Sequence, residues 1–184
     1  MNKSLAILLA LILVSACGEA PDQEIDGSFA PVSESGRRYI EILATEISAA
    51  DRIVVTEHSF ELDAYDEQLG KSRIAEPIIY ATLELSATQK RQFSRLASEI
   101  SPITEDGSLL CIFEPHHSIA FYTSGIETSV MHICFSCGEV RWLKANLIPP
   151  AKLDEELSKF ILSIGMQPER DWVEMAEARL ADGA

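Results

Sequence analysis

The sequence predicts an α+β domain of two layers, a largely antiparallel sheet packed by helices. Three observations predict it. Between positions 109 and 143, four short segments rich in β-branched and aromatic residues follow one another with turn residues between them, as in an antiparallel meander. On both sides of that stretch, apolar residues recur at spacings of three and four, the period of amphipathic helices. The chain of 184 residues, 47% hydrophobic and 24% charged, is also long enough for one core.

The first sixteen residues, MNKSLAILLALILVSA, have Lys3 near the start, an apolar run from Leu5 to Val14 and small residues at the end. The run is short of the ~20 residues that span a bilayer, and its layout is that of an export signal. Val14-Ser15-Ala16-Cys17 resembles the lipobox of bacterial lipoproteins. That resemblance implies cleavage before Cys17, lipidation of Cys17, and a membrane partner reached through the lipid. Gly18 is not the aspartate associated with inner-membrane retention, so the resemblance also implies an outer-membrane address facing the periplasm. Residues 17–35, rich in Gly, Pro, Ser and acids, read as a flexible tether. Residues 36–184 then form a single domain.

Along that domain, Tyr39, Ile40, Leu43 and Ile47 make residues 36–50 an amphipathic helix with Ser35 as its N-cap. RIVVTEH at 52–58 reads as a strand, 61–76 as polar loop, and 77–85 as a second strand with Pro77 at its start. Ser86 and Gln89 fit a capping box, followed by a stripe of Phe93, Leu96, Ala97 and Ile100. The meander strands are expected at 109–113, 118–122, 128–134 and 139–143. Beyond Pro149-Pro150, the residues Leu153, Leu157, Phe160, Ile161 and Ile164 give a helical face closed by Gly165. A last helix, 168–180, is expected to bury Trp172, Val173 and Met175.

The formal net charge is -14. Such a surface repels phosphate backbones, which argues against nucleic acid as a partner. Gly70-Lys71-Ser72 has Tyr65 where a phosphate-binding loop needs glycine, and neither G-x-S-x-G nor H-E-x-x-H occurs. Glu114 and Glu139 show no spacing that ties them together as an acid and a base.

With Cys17 lipidated, three thiols remain, and three cannot all pair within one chain. Three readings are open. Cys134-Phe135-Ser136-Cys137-Gly138 has the spacing of a zinc knuckle, and Cys111 with His116 or His117 could complete the ligand set. The same C-x-x-C pair is the usual unit of thiol–disulfide exchange, although GEVRWL after Cys137 reads as strand rather than an activating helix N-terminus. The third reading is a structural disulfide, from Cys111 to Cys134 or Cys137, or within the C-x-x-C itself, with one thiol buried. His116 and His117 are placed in a turn, His132 in a half-buried strand, and His58 on the surface.

The stretch also resembles one in uncharacterised bacterial proteins, where Cys-x-x-x-Pro-x-His precedes Cys-Phe-x-Cys. Here those residues are Cys111, Pro115, His117 and Cys134-Phe135-Ser136-Cys137. The resemblance implies that the cysteines act as a set and brings no activity with it. The sequence therefore points to a lipid-anchored, non-catalytic binding or structural domain. The alternative is a thiol oxidoreductase or metal-handling protein using Cys134 and Cys137.

Overall fold

The computed structural model describes residues 33–105 and 111–183. The signal segment, Cys17 and most of the expected tether lie outside the described residues, as do positions 109 and 110 of the first expected meander strand.

The first helix, α1, spans Ser33–Ala49 and presents Tyr39, Leu43 and Ile47 to the core, all fully buried. Each such side chain contributes ~1.5–3 kcal/mol relative to exposure. The helix begins ahead of the expected boundary, so residues 33–35 are helical rather than tether. Ser35 lies inside it, and its hydroxyl donates to the Ile148 carbonyl at 3.0 Å instead of capping the helix. The strand β1, Arg52–His58, falls where the sequence put it. The polar segment after it is more ordered than expected: a 3-10 turn at Glu61–Ala64 and a small hairpin of β2, Tyr65–Asp66, and β3, Lys71–Ser72.

Strand β4, Ile79–Glu84, leads into α2, Ala87–Glu99, which opens with the expected capping box of Ser86 and Gln89. Its Phe93 and Ala97 have no exposed surface. The meander is β5, His117–Thr123, β6, Ile126–Cys134, and β7, Glu139–Trp142. Among the described residues it has three strands rather than four, because residues 111–113 are irregular. The β5–β6 hairpin turns on Ser124 and Gly125, both at positive φ, between the paired Thr123 and Ile126. That is the two-residue turn whose twist suits a hairpin. Helix α3, Leu153–Ser163, buries Leu153, Leu157, Phe160 and Ile161. In α4, Trp172–Ala181, the buried residue is Ala176, while Trp172 and Met175 are half-buried and Val173 is exposed, contrary to expectation.

Five strands form one antiparallel sheet in the order β4-β1-β5-β6-β7. Helix α1 touches α2 and β5, α2 touches α3, and α3 touches β7. The core between helices and sheet holds Ile53, Val55, Ile119, Phe121, Met131 and Ile133 from the strands. Alternation carries Val54, Thr56, Ser118, Ala120 and Val130 to the opposite face, where they are half-buried and His132 is exposed. The fold is thus α+β with an antiparallel sheet, as the sequence predicts. No helix among the described residues is long and apolar enough to cross a membrane.

Buried charge fastens α1 to the sheet. The Glu46 carboxylate accepts from Thr128 Oγ1 at 2.6 Å and Ser129 Oγ at 2.8 Å, and pairs with Lys144. Burial raises its pKa, but the bonds to Lys144, Thr128 and Ser129 outweigh that and hold it below the ordinary value.

Gly36 marks a close approach between α1 and the loop after α2. A Cβ built there would fall well inside contact distance of the Pro102 carbonyl oxygen. Helix propensity alone favours Ala over Gly by ~1 kcal/mol. Gly36→Ala should nevertheless destabilise the domain by ~1–3 kcal/mol, because the loop backbone must move. Equilibrium denaturation checks the sign.

Candidate functional site

A group of buried titratable side chains gathers where β1 ends and β5 begins. The register sets Glu57 opposite His117, and His117 opposite Ile133. The alternation that buries Ile53 and Val55 also buries Glu57. A carboxylate so enclosed must be paired or it costs several kcal/mol. Its Oε1 accepts the Gln167 backbone N–H at 2.8 Å, and the Arg170 guanidinium lies 3.1 Å from Oε2. Both partners come from the segment between α3 and α4, so one carboxylate ties the C-terminal part of the chain to the sheet.

His117 sits inside this closure with no exposed surface. Its Nε2 is 3.9 Å from Glu57 Oε1, beyond hydrogen-bond reach, and both ring nitrogens are buried. Phe135 and Trp172 meet the imidazole edge to face, at 5.0 and 5.6 Å between ring centres. Burial, chiefly, pushes its pKa down to about 3, with the backbone of Gln167 pulling the other way and the charges of His116, His58 and Arg170 adding to the fall. The ring is therefore a neutral packing element.

His116 is placed differently. Its Nε2 lies 2.9 Å from Asp63 Oδ1, while Asp63 Oδ2 accepts the Phe60 N–H at 2.7 Å. The ring stacks on Trp172 at 4.5 Å with planes 3° apart, and Trp172 stacks in turn on Tyr80. His58 is half-buried, its Nδ1 2.9 Å from the Ser59 carbonyl oxygen. An oriented His–Asp pair is a unit of general-base chemistry. Here it is capped by an indole, and both its members are buried.

These positions correct the sequence reading. His116 and His117 are not exposed in a turn: both are buried, and His117 opens a strand. Cys134 and Cys137 stand at disulfide distance, with Cα atoms 5.5 Å apart, so the structure sets them against each other within the C-x-x-C rather than against Cys111. Cys111 is free and exposed rather than the buried thiol expected. Gly138, at φ 63°, closes the turn by donating its N–H to the Phe135 carbonyl at 3.2 Å. Phe135, carried between the two cysteines, is the ring that reaches His117. The structure thus brings Cys134, Cys137 and His117 into one neighbourhood, gives His116 to Asp63, and leaves Cys111 a free, exposed thiol. Among the described residues, no three His, Cys, Asp or Glu side chains gather as a group able to hold a metal ion.

Comparison with family models, with curated proteins and with solved structures returns no match to this chain.

Glu57, Asp63, Arg170 and Trp172 were not visible to sequence reasoning as a site. Glu57 carried the usable signal, since it sits two and four residues from Val55 and Ile53 in a strand. The apolar Val54 between them hides the period of two.

The His117 environment fixes a pH dependence. A group whose folded pKa lies below its unfolded value of 6.5 contributes stability that is complete above pH 6.5 and is lost as pH falls toward about 3. Across that window the slope from this residue is ~1.4 kcal/mol per pH unit. His117→Phe keeps an aromatic ring and removes the titration. Denaturation midpoints at a series of pH values between 7 and 4 should fall less steeply for that variant than for the wild type. Parallel curves would contradict the assignment.

Proposed function

We propose that this chain is an exported lipoprotein whose folded domain binds or supports a partner at the outer membrane and performs no catalysis, with its cysteine pair serving architecture. The anchoring part rests on the lipobox resemblance at Cys17 and the apolar run before it. The architectural part rests on one observation: Cys134 and Cys137 stand at disulfide distance, with both residues buried, in the turn that aims Phe135 at His117. A dithiol that exchanges with other proteins needs an accessible, activated sulfur. The surrounding charges are also taken up in packing, since Glu57 holds Arg170 and Asp63 holds His116. The acidic net charge of -14 suits a solvated surface and disfavours nucleic acid.

Fractionation of the producing cell, with mass spectrometry of the amino terminus, tests the anchor: a diacylated or triacylated Cys17 in the membrane fraction is expected. Intact Met1 in the soluble fraction overturns it. Thiol alkylation of the same protein should give one adduct before reduction and two more after it. Zinc at one ion per chain with all thiols free would select the metal reading instead. Cys134→Ser should lower stability by ~2 kcal/mol, the entropy of closing a four-residue loop. A variant that keeps its stability but loses disulfide exchange would select the oxidoreductase.

A further inference from the structure

The five-stranded sheet ends at β4, whose strand partner among the described residues is β1 alone. Leu85 donates its N–H to the Ile53 carbonyl at 2.9 Å, and the alternation of an antiparallel ladder turns the main-chain groups of Leu83 and Ala81 toward β1 as well. Those of Thr82 and Glu84 therefore point away from the sheet. So does the Tyr80 carbonyl, which lies opposite the Ala81 N–H across a trans peptide plane. The side chains of Thr82 and Glu84 are exposed, and so is that of Ile79, by 47%.

Sheet edges of soluble proteins are commonly guarded by lysine, proline, a bulge or a covering element. The strand reads IYATLE, with neither lysine nor proline. Its guards stop at the end where it begins. There the register shift at Glu57/His58 leaves Tyr80 unopposed, and Arg179 of α4 donates to the Ile79 carbonyl at 3.5 Å. From Tyr80 onward the edge is open to another strand.

Charge selects the occupant. Glu84 at one end of this edge and Arg179 at the other make no ion pair among the described residues. An edge with an acid at one end and a base at the other is complementary to itself reversed. A two-fold axis through Thr82 sets Thr82 against its counterpart and Glu84 against the second copy's Tyr80, one residue from the carbonyl that Arg179 reaches. Each Glu84 then meets an arginine, and the two acids stay at opposite ends. The same register places Ala81 beside the second copy's Leu83, and both residues are partly buried against the apolar core. An axis through Leu83 would instead bring the two Glu84 carboxylates to neighbouring positions on one face, where like charges repel.

We propose that this edge pairs with a second copy of the chain, β4 against β4, antiparallel about a two-fold axis at Thr82. Thr82 exchanges both main-chain bonds with its counterpart, and each Glu84 N–H donates to the second copy's Tyr80 carbonyl. Reciprocal Glu84–Arg179 pairs close the two ends, and the sheet becomes continuous across both copies. The inference is independent of the anchoring at Cys17.

The test uses the chain as its producing cell makes it, at rising concentration, read by native mass spectrometry and by hydrogen exchange. A dimer should grow with concentration, and exchange at Thr82 and Glu84 should slow as it does. Thr82→Pro removes the central donor at an edge position that tolerates proline, so the variant should keep its circular dichroism and stay monomeric. Glu84→Arg should weaken the dimer about tenfold, since both ends change from attraction to repulsion, and adding Arg179→Glu should restore it. If the proline variant does not fold, the charge reversals decide. The proposal is overturned if the chain stays monomeric at its highest soluble concentration, or if a dimer forms while the β4 amides still exchange freely. It is equally overturned if the double reversal fails to recover what Glu84→Arg loses, or if the strand that protects the edge belongs to a different protein.

Discussion

A carboxylate on the buried face of an inner strand sets the terms for one end of this fold. Glu57 follows Ile53 and Val55 in the alternation of β1, so its side chain points where only apolar groups are otherwise admitted. Removing one partner from a buried ion pair typically costs 3–5 kcal/mol, because the charge left behind has no water to return to. The chain answers with Gln167 and Arg170, more than a hundred residues away in sequence. That closure brings Trp172 over the two histidines and packs α4 against the 3-10 turn at Glu61–Ala64. The C-terminal helix follows directly on that polar closure, and within it Ala176 is buried while Val173 faces solvent.

A second buried carboxylate works at the other end. Glu46 on α1 reaches Thr128 and Ser129 on β6 and Lys144 just past β7. Between the two acids lies an ordinary apolar core of Tyr39, Phe93, Phe121 and Phe160 with their aliphatic neighbours. The apolar contacts supply most of the driving force, and the acids specify how the helical layer sits on the sheet.

Local signals were strong in the sequence, and long-range pairings were not. The capping box of Ser86 and Gln89 and the stripe of α3 each encode an element within a few residues. They were legible for that reason. The first meander strand failed at residues 111–113 because β-branched composition without a partner strand does not make a strand. The histidine pair was misplaced for a related reason. Pro115 signals a turn locally, but Glu57 and Asp63, which decide the burial of His117 and His116, arrive from distant parts of the chain. The cysteine pattern left several pairings open and could not choose among them, since the choice depends on which Cα atoms the hairpin brings together.

The two tryptophans of this chain occupy unlike surroundings. Trp142 lies in the core, with Tyr39 at 5.7 Å and Phe121 at 5.8 Å. Trp172 is half-buried and face to face with an imidazole. The two indoles therefore sense different parts of the fold, Trp142 the helix-covered layer and Trp172 the contact of the C-terminal segment with the strands. The molecule carries its own pair of optical reporters, one for each of those two contacts.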